Sequence, residues 1–515
     1  MTTPVSISLF PFLFVIVAIC FSFCHANSNV LCIIVGEGEG LLKLKNDLID
    51  PSNKLSSWVE GGDCCKWIGV FCHNSTGHVN QLHLAAPLSA PDFDAPSAAG
   101  FLLHCRPMLN TPPAEWEAYE RLQIPKFFGL LESLTYLNLS RAQFQGEIPH
   151  NLGNLPKLQY LDLRSNNRWD IEATSLEWIS RLSSLHYLDL SYADLCKATY
   201  WLQVTFKHPS LLELHLSACS LEDDPSPIGV NSTKSPVVLD LSQNYFSLVP
   251  MSIFGLHGHV SIDLSSNSLE GSVPDYFRNI SFLEVLDLSG NSLNSSTPNS
   301  LFDLNHLQFL NLLSNEIDQD VSEIVLRELS SLKFFDVSEN ELNGTFPGCF
   351  GQLESLETLN LGCNLLEGVV SETHLFNLTR LKTLVASENR LSALLVLKGR
   401  EDEYSATLGL IRSMCFSTNR LIGEIPKELG SLVEPRSLNP SGNLLIGNIP
   451  DKIGNMELMD SLDLSESIEC EESKVNWLYV SIDLGFVAGF WGVVASMVFI
   501  RSWRHAYYRK LDHVG

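Results

Sequence analysis

The sequence predicts an α/β repeat solenoid: a curved horseshoe with short parallel strands on its concave face, followed by one transmembrane helix. Within Leu283–Pro298, four leucines and one asparagine fall at the spacing L-x-x-L-x-L-x-x-N-x-L. This pattern recurs at intervals of 23 to 30 residues. One strand and one turn per unit at such a period define a leucine-rich repeat. Near the C-terminus, an apolar run of 24 residues is long enough to cross a bilayer.

Fourteen units carry the last leucine of the L-x-L core or a replacement for it, and we use this position as a marker. The marker residues are Leu139, Leu163, Leu190, Leu216, Leu241, Leu264, Leu288, Leu312, Val337, Leu361, Ala386, Phe416, Pro440 and Leu464. Alternate residues of a strand point to opposite faces, so we expect Leu286 and Leu288 in the core and Asp287 on the outer surface. One coil cannot bury its own leucines, whereas stacked neighbours can.

An asparagine follows the marker by three residues in most units. These residues are Asn166, Asn244, Asn267, Asn291, Asn315, Asn340, Asn364, Asn389, Asn419 and Asn443. A buried amide at this position can hydrogen-bond turn backbone of its own coil and of the next. We therefore interpret the column as structural.

The 515-residue chain carries 59 acidic against 33 basic residues, a formal charge of −26. This balance argues against nucleic acid as a partner, because no basic stripe is available to replace counterions. A basic peptide or protein partner is compatible with the charge, although solubility alone explains it equally simply.

The expected organisation follows the chain in order. It comprises a signal peptide (1–26), an N-terminal cysteine cap (27–84), an irregular insertion (85–130), leucine-rich repeats (131–391), an irregular island-like break (392–412), C-terminal repeats (413–465), an acidic juxtamembrane stretch (466–476), a transmembrane helix (477–500) and a cytoplasmic tail (501–515). The insertion lacks the repeat pattern, which fits either a flexible insertion or a wrongly spliced segment. In the C-terminal repeats, Pro440 replaces an inward leucine and removes a strand N–H.

The first segment reads as a secretory signal because Ile7–Cys24 is almost wholly apolar, although its n-region lacks Lys and Arg, so an uncleaved anchor is the alternative. Secretion makes cysteines candidates for disulfides. The cap contains Cys32, Cys64, Cys65 and Cys72. Two bridges are expected there; Cys32–Cys64 with Cys65–Cys72 is one of three possible pairings. A bridge between Cys349 and Cys363 of neighbouring coils is also expected.

Basic residues follow the apolar run 477–500 and acidic residues precede it. The positive-inside rule then places the repeats outside the cell, as in a single-pass type I protein of the plasma membrane. Gly485, Gly489 and Gly492 lie on one face of this predicted helix and would let a partner helix approach closely.

Acidic residues recur at the outward position between the two core leucines. They form a candidate ligand-facing strip of Asp162, Asp189, Asp240, Asp263, Asp287 and Asp336. One interpretation is a surface for a basic ligand on the concave face. The simpler alternative is that L-D-L-S is a favoured strand-to-turn sequence. A metal site is less favoured, because aspartates stacked on successive strands offer no closed coordination sphere.

Seven N-glycosylation sequons predict a glycoprotein. They begin at Asn74, Asn138, Asn231, Asn279, Asn294, Asn343 and Asn377. Asn138 occupies an outward strand position, so a glycan there would mask the first part of the concave face. No nucleotide-binding, metalloprotease, hydrolase or kinase motif occurs in the sequence, and we expect neither enzyme activity nor a cofactor.

Several longer segments together resemble plant receptor-like proteins of the leucine-rich-repeat class, in particular the receptors for ethylene-inducing fungal xylanase. They are CCKWIGVFCHNSTGHV, KGREDEYSATLGLIRSM, GEIPKELGSLVEPRSLNPSGNLLIGNIPDKIGNMELMDSLDLS and GFVAGFWGVVASMVFIRSWRHAYY. They span nearly the whole chain outside residues 85–125. The resemblance implies a cell-surface immune receptor that has no kinase and borrows one from a partner receptor kinase through its membrane helix.

The chain departs from the family pattern in three respects. Such receptors usually carry about twice as many coils and a second cysteine cap, and Pro440, Cys415 and Asp483 replace Leu, Asp and Gly. The leading hypothesis is a receptor for a microbial protein or peptide in plant defence. The alternatives are a receptor partner for an endogenous developmental peptide, an inhibitor of a secreted wall-degrading enzyme, and a non-functional shortened copy.

Overall fold

The computed structural model describes a solenoid of stacked coils. It covers residues 35–48, 50, 53–85, 122–165, 169–223, 236–255, 260–294, 304–321, 329–346, 348–375, 378–396, 411–425, 436–451, 453 and 459–465. The predicted signal peptide, Cys32, most of the insertion and the predicted transmembrane helix lie outside these residues.

One sheet of 16 strands runs through the described coils, with its first two strands antiparallel and the others parallel. The strands are Val70–Cys72, Val79–His83, Tyr136–Asn138, Tyr160–Asp162, Tyr187–Asp189, Glu213–His215, Val238–Asp240, Val260–Asp263, Leu283–Asp287, Phe309–Asn311, Phe334–Asp336, Thr358–Asn360, Thr383–Val385, Ser413–Cys415, Ser437–Asn439 and Ser461–Leu462. The predicted solenoid with one parallel sheet is therefore confirmed.

Four short parallel pairs flank this sheet where the chain leaves each turn. They join Gly146–Glu147 with Ile171–Glu172, Glu270–Gly271 with Ser292–Leu293, Glu367–Ser371 with Arg390–Val396, and Ile422–Glu424 with Leu444–Ile446. At the first pair Gly146 has φ +84°, a backbone conformation that residues with a Cβ rarely adopt.

Helices cap the solenoid and close the other side of several coils. The α-helices are Val35–Asp47, Trp201–Phe206 and Glu372–Leu375. The 3₁₀-helices are Lys54–Ser57, Cys64–Lys66, Lys126–Leu130, His150–Asn154, Glu177–Arg181, Met251–Gly255, Asp275–Asn279 and Gly348–Gln352. Proline precedes helices such as His150–Asn154, where its fixed φ suits the first turn.

Leucines of the repeat fill the interior, as the alternation of strand residues predicts. Leu286 and Leu288 are fully buried, and Asp287 between them stays partly exposed. The asparagine column also lies where the sequence places it. Asn291 donates to the carbonyls of Leu264 and Leu288 at 3.1 and 2.9 Å, and it accepts the amide of Leu269 at 3.0 Å. The asparagines of the column that lie within the described residues thus satisfy the backbone of two successive coils, and Asn166 lies outside these residues.

The N-terminal cap packs directly on the first parallel strand. Glu37 of the first helix accepts the Val79 amide at 3.1 Å and lies 3.1 Å from His78 Nδ1. Strand Val79–His83 then pairs in parallel with Tyr136–Asn138, although 52 residues separate His83 from Tyr136. The strands on either side of the predicted insertion are therefore neighbours in the sheet.

Candidate functional site

The exposed face of the main sheet is the concave surface of the solenoid. In Tyr136–Asn138 the middle residue Leu137 is fully buried, and the first and third residues are partly exposed. Because the strands pair in register, equivalent residues form columns across this face. Tyr136 pairs with Tyr160 and Tyr160 with Tyr187.

Three tyrosines in the first column stack on one another. The ring centroids of Tyr136 and Tyr160, and those of Tyr160 and Tyr187, are 4.2 Å apart, with the planes within 8° of parallel. His83 stacks on the free face of Tyr136 at 4.2 Å, and His215 lies 5.3 Å from Tyr187. We call these five residues the tyrosine stack.

Neighbouring rings cover both faces of Tyr160, so a ligand can reach its edge and hydroxyl but cannot stack on it. Burial raises the pKa of Tyr160, and the nearby Tyr187 and Asp162 raise it further. The pKa of Tyr187 is raised by burial and by Asp189. Both hydroxyls therefore remain protonated at physiological pH, and that of Tyr187 donates to Asp189 Oδ2 at 3.4 Å.

A charge network lies beside the tyrosine stack. Arg164 Nε donates to Asp189 Oδ2 at 2.9 Å, and the Tyr187 hydroxyl lies 3.4 Å from the same oxygen. Asp189 is fully buried, whereas the Arg164 side chain is 35% exposed. The pair thus places a neutralised carboxylate in the sheet and leaves the guanidinium at the surface.

A second ion pair continues this network one coil further. His215 Nδ1 lies 3.7 Å from Asp240 Oδ2. Burial alone would lower the pKa of His215, but the nearby carboxylate of Asp240 raises it overall. Burial alone would raise the pKa of Asp240, but the nearby His215 and the hydrogen bonds from Ser242 lower it overall.

The six aspartates of the predicted acidic strip share one structural task. The Oδ1 atom of each accepts the backbone N–H two residues further on, at 2.9 to 3.1 Å. The pairs are Asp162–Arg164, Asp189–Ser191, Asp240–Ser242, Asp263–Ser265, Asp287–Ser289 and Asp336–Ser338. Asn138, Asn311 and Asn360 make the same bond in other coils. The geometry thus gives L-D-L-S a turn-forming role, and ligand binding by the strip stays a prediction.

Disulfide bonds cross-link the N-terminal cap. Cys65 and Cys72 are bonded with their Cα atoms 5.4 Å apart, and Cys64 is also disulfide-bonded. The sulfurs of Cys64, Cys65 and Cys72 lie within 4.8 Å of one another, but sulfurs in disulfides provide no thiolate for a metal. Cys363 is a free cysteine, so the expected bridge to Cys349 is wrong. Its half-exposed thiol lies in a turn beside Glu388, which with burial raises its pKa to about 11.

The sequons fall on different surfaces. Asn74, Asn279, Asn294 and Asn343 are exposed, and Asn138 is half-buried on the concave face next to Tyr136. Asn231 and Asn377 lie outside the described residues. Glycosylation of all seven stays a prediction.

Within the described ranges, no helix is long and apolar enough to span a membrane. The predicted helix 477–500, with Gly485, Gly489 and Gly492, lies outside those ranges.

Comparisons with known proteins identify the repeats. Residues 36–73 match the leucine rich repeat N-terminal domain, and residues 133–155, 260–317 and 321–391 match leucine rich repeats. The chain is 37% identical over 266 residues to the receptor-like protein EIX1 of Solanum lycopersicum and 31% identical over 262 residues to EIX2 of the same plant. The chain thus carries leucine-rich repeats and is similar to plant receptor-like proteins.

Both alignments cover 48% of this chain and 25% of the relative. The chain therefore aligns with about a quarter of the length of these curated relatives. The aligned residues make up 48% of the chain, whereas the motifs that resemble the family span nearly all of it. Among solved structures, it resembles the plant peptide hormone receptor RGFR1 in complex with RGF2, with a TM-score of 0.52 and 26% identity over 67% of this chain and 61% of that one. A TDR receptor gives a TM-score of 0.53 at 25% identity, covering 66% and 57%.

The repeat pattern of the sequence did not predict the tyrosine stack or the role of Arg164. A signal was available, because Tyr136, Tyr160 and Tyr187 each precede a marker leucine by three residues. The structure brings together Asp162, Asp189 and Asp240 of the predicted strip with these residues. Asp263, Asp287 and Asp336 lie further along the sheet, where Phe309 and Phe334 stack at 4.3 Å.

Proposed function

We propose that this protein is a cell-surface receptor that binds a microbial protein or peptide on its concave face and signals in plant defence through a partner receptor kinase. The tyrosine stack with its charge network carries the proposal. It offers half-exposed aromatic edges, protonated hydroxyls and a guanidinium whose counter-charge is already in place. Amphipathic aromatic side chains and arginine are enriched in the cores of protein interfaces.

Pre-organisation is the physical advantage of this surface. Stacking and the Arg164–Asp189 pair hold the side chains in one arrangement before a ligand arrives, so less conformational entropy is lost on binding. Charged groups of a ligand would bind mainly to Arg164 and His215 at the edge of this surface.

Signalling would pass through the membrane to another protein. The predicted helix 477–500 would present Gly485, Gly489 and Gly492 to a partner helix. The repeats would face outward, with the protein anchored in the plasma membrane as a single-pass type I glycoprotein.

The second candidate function is recognition of an endogenous developmental peptide. The likeness to RGFR1, a peptide hormone receptor solved with RGF2, favours it. Both functions use the same concave face, so they differ in the ligand rather than in the site. A non-functional shortened copy is the third possibility, and it predicts no response to any ligand.

The test is a response assay in leaves that express the full chain with a C-terminal tag. Fungal culture filtrate and a panel of synthetic secreted plant peptides are applied separately, and ethylene release is measured. Release with filtrate alone supports the defence function, and release with a plant peptide alone supports the developmental one. No response from protein that reaches the cell surface overturns both.

The site is tested in the same assay by Tyr160→Ala, which should abolish the response because it removes the centre of the tyrosine stack. The matched control is Tyr276→Ala, since Tyr276 is 53% exposed in the 3₁₀-helix Asp275–Asn279, away from the main sheet. An equal loss in both variants would argue against the tyrosine stack as the site.

The kinase partner is tested by co-immunoprecipitation from the same membranes. Replacing Gly485 and Gly489 with Leu should push a partner helix away and sharply reduce recovery of a receptor kinase. Phe490→Leu, on another face of the predicted helix, should change little. Unaltered recovery in the double variant would place the contact in the ectodomain.

A further inference from the structure

Residues at the start of the strands form a second column of exposed and half-exposed side chains along one rim of the concave face. In each case the backbone N–H of one member donates to the carbonyl of the member one coil earlier, at 2.7 or 2.8 Å. From Glu284 onward this rim column comprises Glu284, Gln308, Lys333, Glu357, Lys382, Arg412, Arg436 and Asp460. The column therefore follows the backbone ladder, and its side chains lie on adjacent strands about 4.8 Å apart.

Lysines in the rim column reach back one coil to an acceptor. Lys333 Nζ donates to Gln308 Oε1 at 2.8 Å, and Lys382 Nζ donates to Glu357 Oε2 at 2.5 Å. The bond from Lys382 also lowers the pKa of Glu357. Each lysine thus has a partner on the preceding strand.

Arg412 and Arg436 break this pattern. The residue one coil before Arg412 is Lys382, and the residue one coil before Arg436 is Arg412. Each arginine therefore lies beside a cation, whereas each lysine lies beside a hydrogen-bond acceptor. Both side chains are exposed, and neither has a side-chain hydrogen bond or an ion pair with any residue that the structure describes. Like charges on directly neighbouring strands destabilise a sheet.

The charge of the whole chain makes this arrangement unusual. A protein of net charge −26 could pair a surface arginine with an acid in many places, yet three cations follow one another here. Beside the arginines, the first residues of the adjoining strands are Ser413 and Ser437, whose half-exposed hydroxyls can donate. Asp460 ends the cationic run on the next strand.

We propose that Lys382, Arg412 and Arg436 bind an acidic segment of the peptide ligand, an inference that rests on the proposed receptor function. The planar guanidinium of arginine matches a carboxylate with two parallel hydrogen bonds, and the seryl hydroxyls serve peptide carbonyls alongside. Asp460 repels further acidic residues at one end and so fixes where the segment stops. The inferred ligand charge is opposite to the one that the acidic strip would favour.

Binding of two synthetic peptides to the full chain in detergent tests this inference. One is a fluorescein-labelled peptide rich in Asp and Glu, and the other is a Lys-rich peptide of the same length; fluorescence anisotropy is read at low and high salt. The acidic peptide should bind despite the negative charge of the chain, and salt should weaken it. Arg412→Glu combined with Arg436→Glu should weaken binding about tenfold or more.

Arg420→Glu is the matched control, because Arg420 is exposed in the same coil as Arg412 but lies outside the rim column. It should bind the acidic peptide like the wild type. Equal affinity of all variants overturns the inference, as does stronger binding of the Lys-rich peptide. Equal competition by an oligogalacturonate also overturns it, because the surface would then bind polyanions in general.

The leaf response separates this inference from the proposed function. If the wild type responds to a ligand and the double-Glu variant responds equally, only the inference fails. If the wild type at the cell surface responds to nothing, the proposed function fails, whatever the peptides show.

Discussion

The two ends of the concave face differ in how their charges are satisfied. At the N-terminal end, Arg164 is paired with Asp189 and His215 with Asp240, beside rings stacked at 4.2 Å. At the C-terminal end, Arg412 and Arg436 stand next to each other with no acceptor among the described residues. The first region is organised before a ligand arrives. The second has exposed charges without an ion-pair partner among the described residues.

The ladder of backbone hydrogen bonds between strands is also interrupted toward the C-terminal end. The marker amides of Leu361, Ala386 and Phe416 each donate at 2.8 Å to a carbonyl of the next coil. Pro440 has no N–H to continue the series. Asn443 still donates to the carbonyl of Pro440 at 2.9 Å and to that of Phe416 in the preceding coil at 2.8 Å, so the asparagine column links the two coils. The last coils therefore keep the fold with one ladder hydrogen bond fewer.

The largest expected effect is a loss of stability in the N-terminal region. Arg164→Met leaves the fully buried Asp189 without its cation, which should destabilise the surrounding coils by about 3–5 kcal/mol. Hydrogen exchange of the strands Tyr160–Asp162, Tyr187–Asp189 and Glu213–His215 measures it. Arg181→Met is the control, because Arg181 is exposed at the end of a 3₁₀-helix. Unchanged protection in the Arg164 variant would mean that the ion pair contributes little.

The next largest expected effect is a gain of stability in the C-terminal region. Pro440→Leu restores a ladder donor and the usual core side chain, and should stabilise the last coils by about 1–3 kcal/mol. Slower hydrogen exchange over residues 436–465 is the expected result. Pro450→Leu, outside the main-sheet strands, should leave exchange unchanged. If both variants exchange like the wild type, the missing bond is not what limits this end.

Two aspartates of the N-terminal region should respond to pH in opposite directions. Burial and the charge of Asp189 raise the pKa of Asp162 above its ordinary 3.8, so its ionisation costs stability as pH rises through the raised pKa. The nearby His215 and the hydrogen bonds from Ser242 lower the pKa of Asp240 against the effect of burial. Asp240 therefore contributes stability that is present above pH 3.8 and is lost as pH falls through its lowered pKa.

Unfolding between pH 3 and pH 7 checks this contrast in the variants Asp162→Asn and Asp240→Asn. Asparagine preserves the turn hydrogen bond, as Asn138 does. Asp162→Asn should raise stability at neutral pH, and Asp240→Asn should lower it. Changes of the same sign in the two variants would contradict these assignments.

The smallest expected effect is that of Tyr160→Phe on stability. The free energy of unfolding should change by no more than about 0.5 kcal/mol, because the ring keeps both stacking partners. The response of expressing leaves to ligand should nevertheless fall, since the hydroxyl is lost. A wild-type response would show that ligands use only the ring edges.

The sequence predicted the fold well because the information for it is local. The spacing within Leu283–Pro298 specifies which side chains enter the core, and its recurrence requires stacked coils. The asparagine column followed from the same spacing, and Asn291 makes the bonds expected of it. The cap cysteines were identified, whereas the bridge expected between Cys349 and Cys363 was wrong, since spacing alone does not orient two thiols.

The sequence by itself determined the repeat, its core and its turns, because each depends on residues within one coil. Only the tertiary structure decided which outward side chains meet. Tyr160 and Tyr187 are 27 residues apart and Arg412 and Arg436 are 24 apart, yet the parallel register makes each pair neighbours. The same register gave Asp189 a cation and gave Arg412 a like charge, because contacts across strands depend on pairing rather than on residue type.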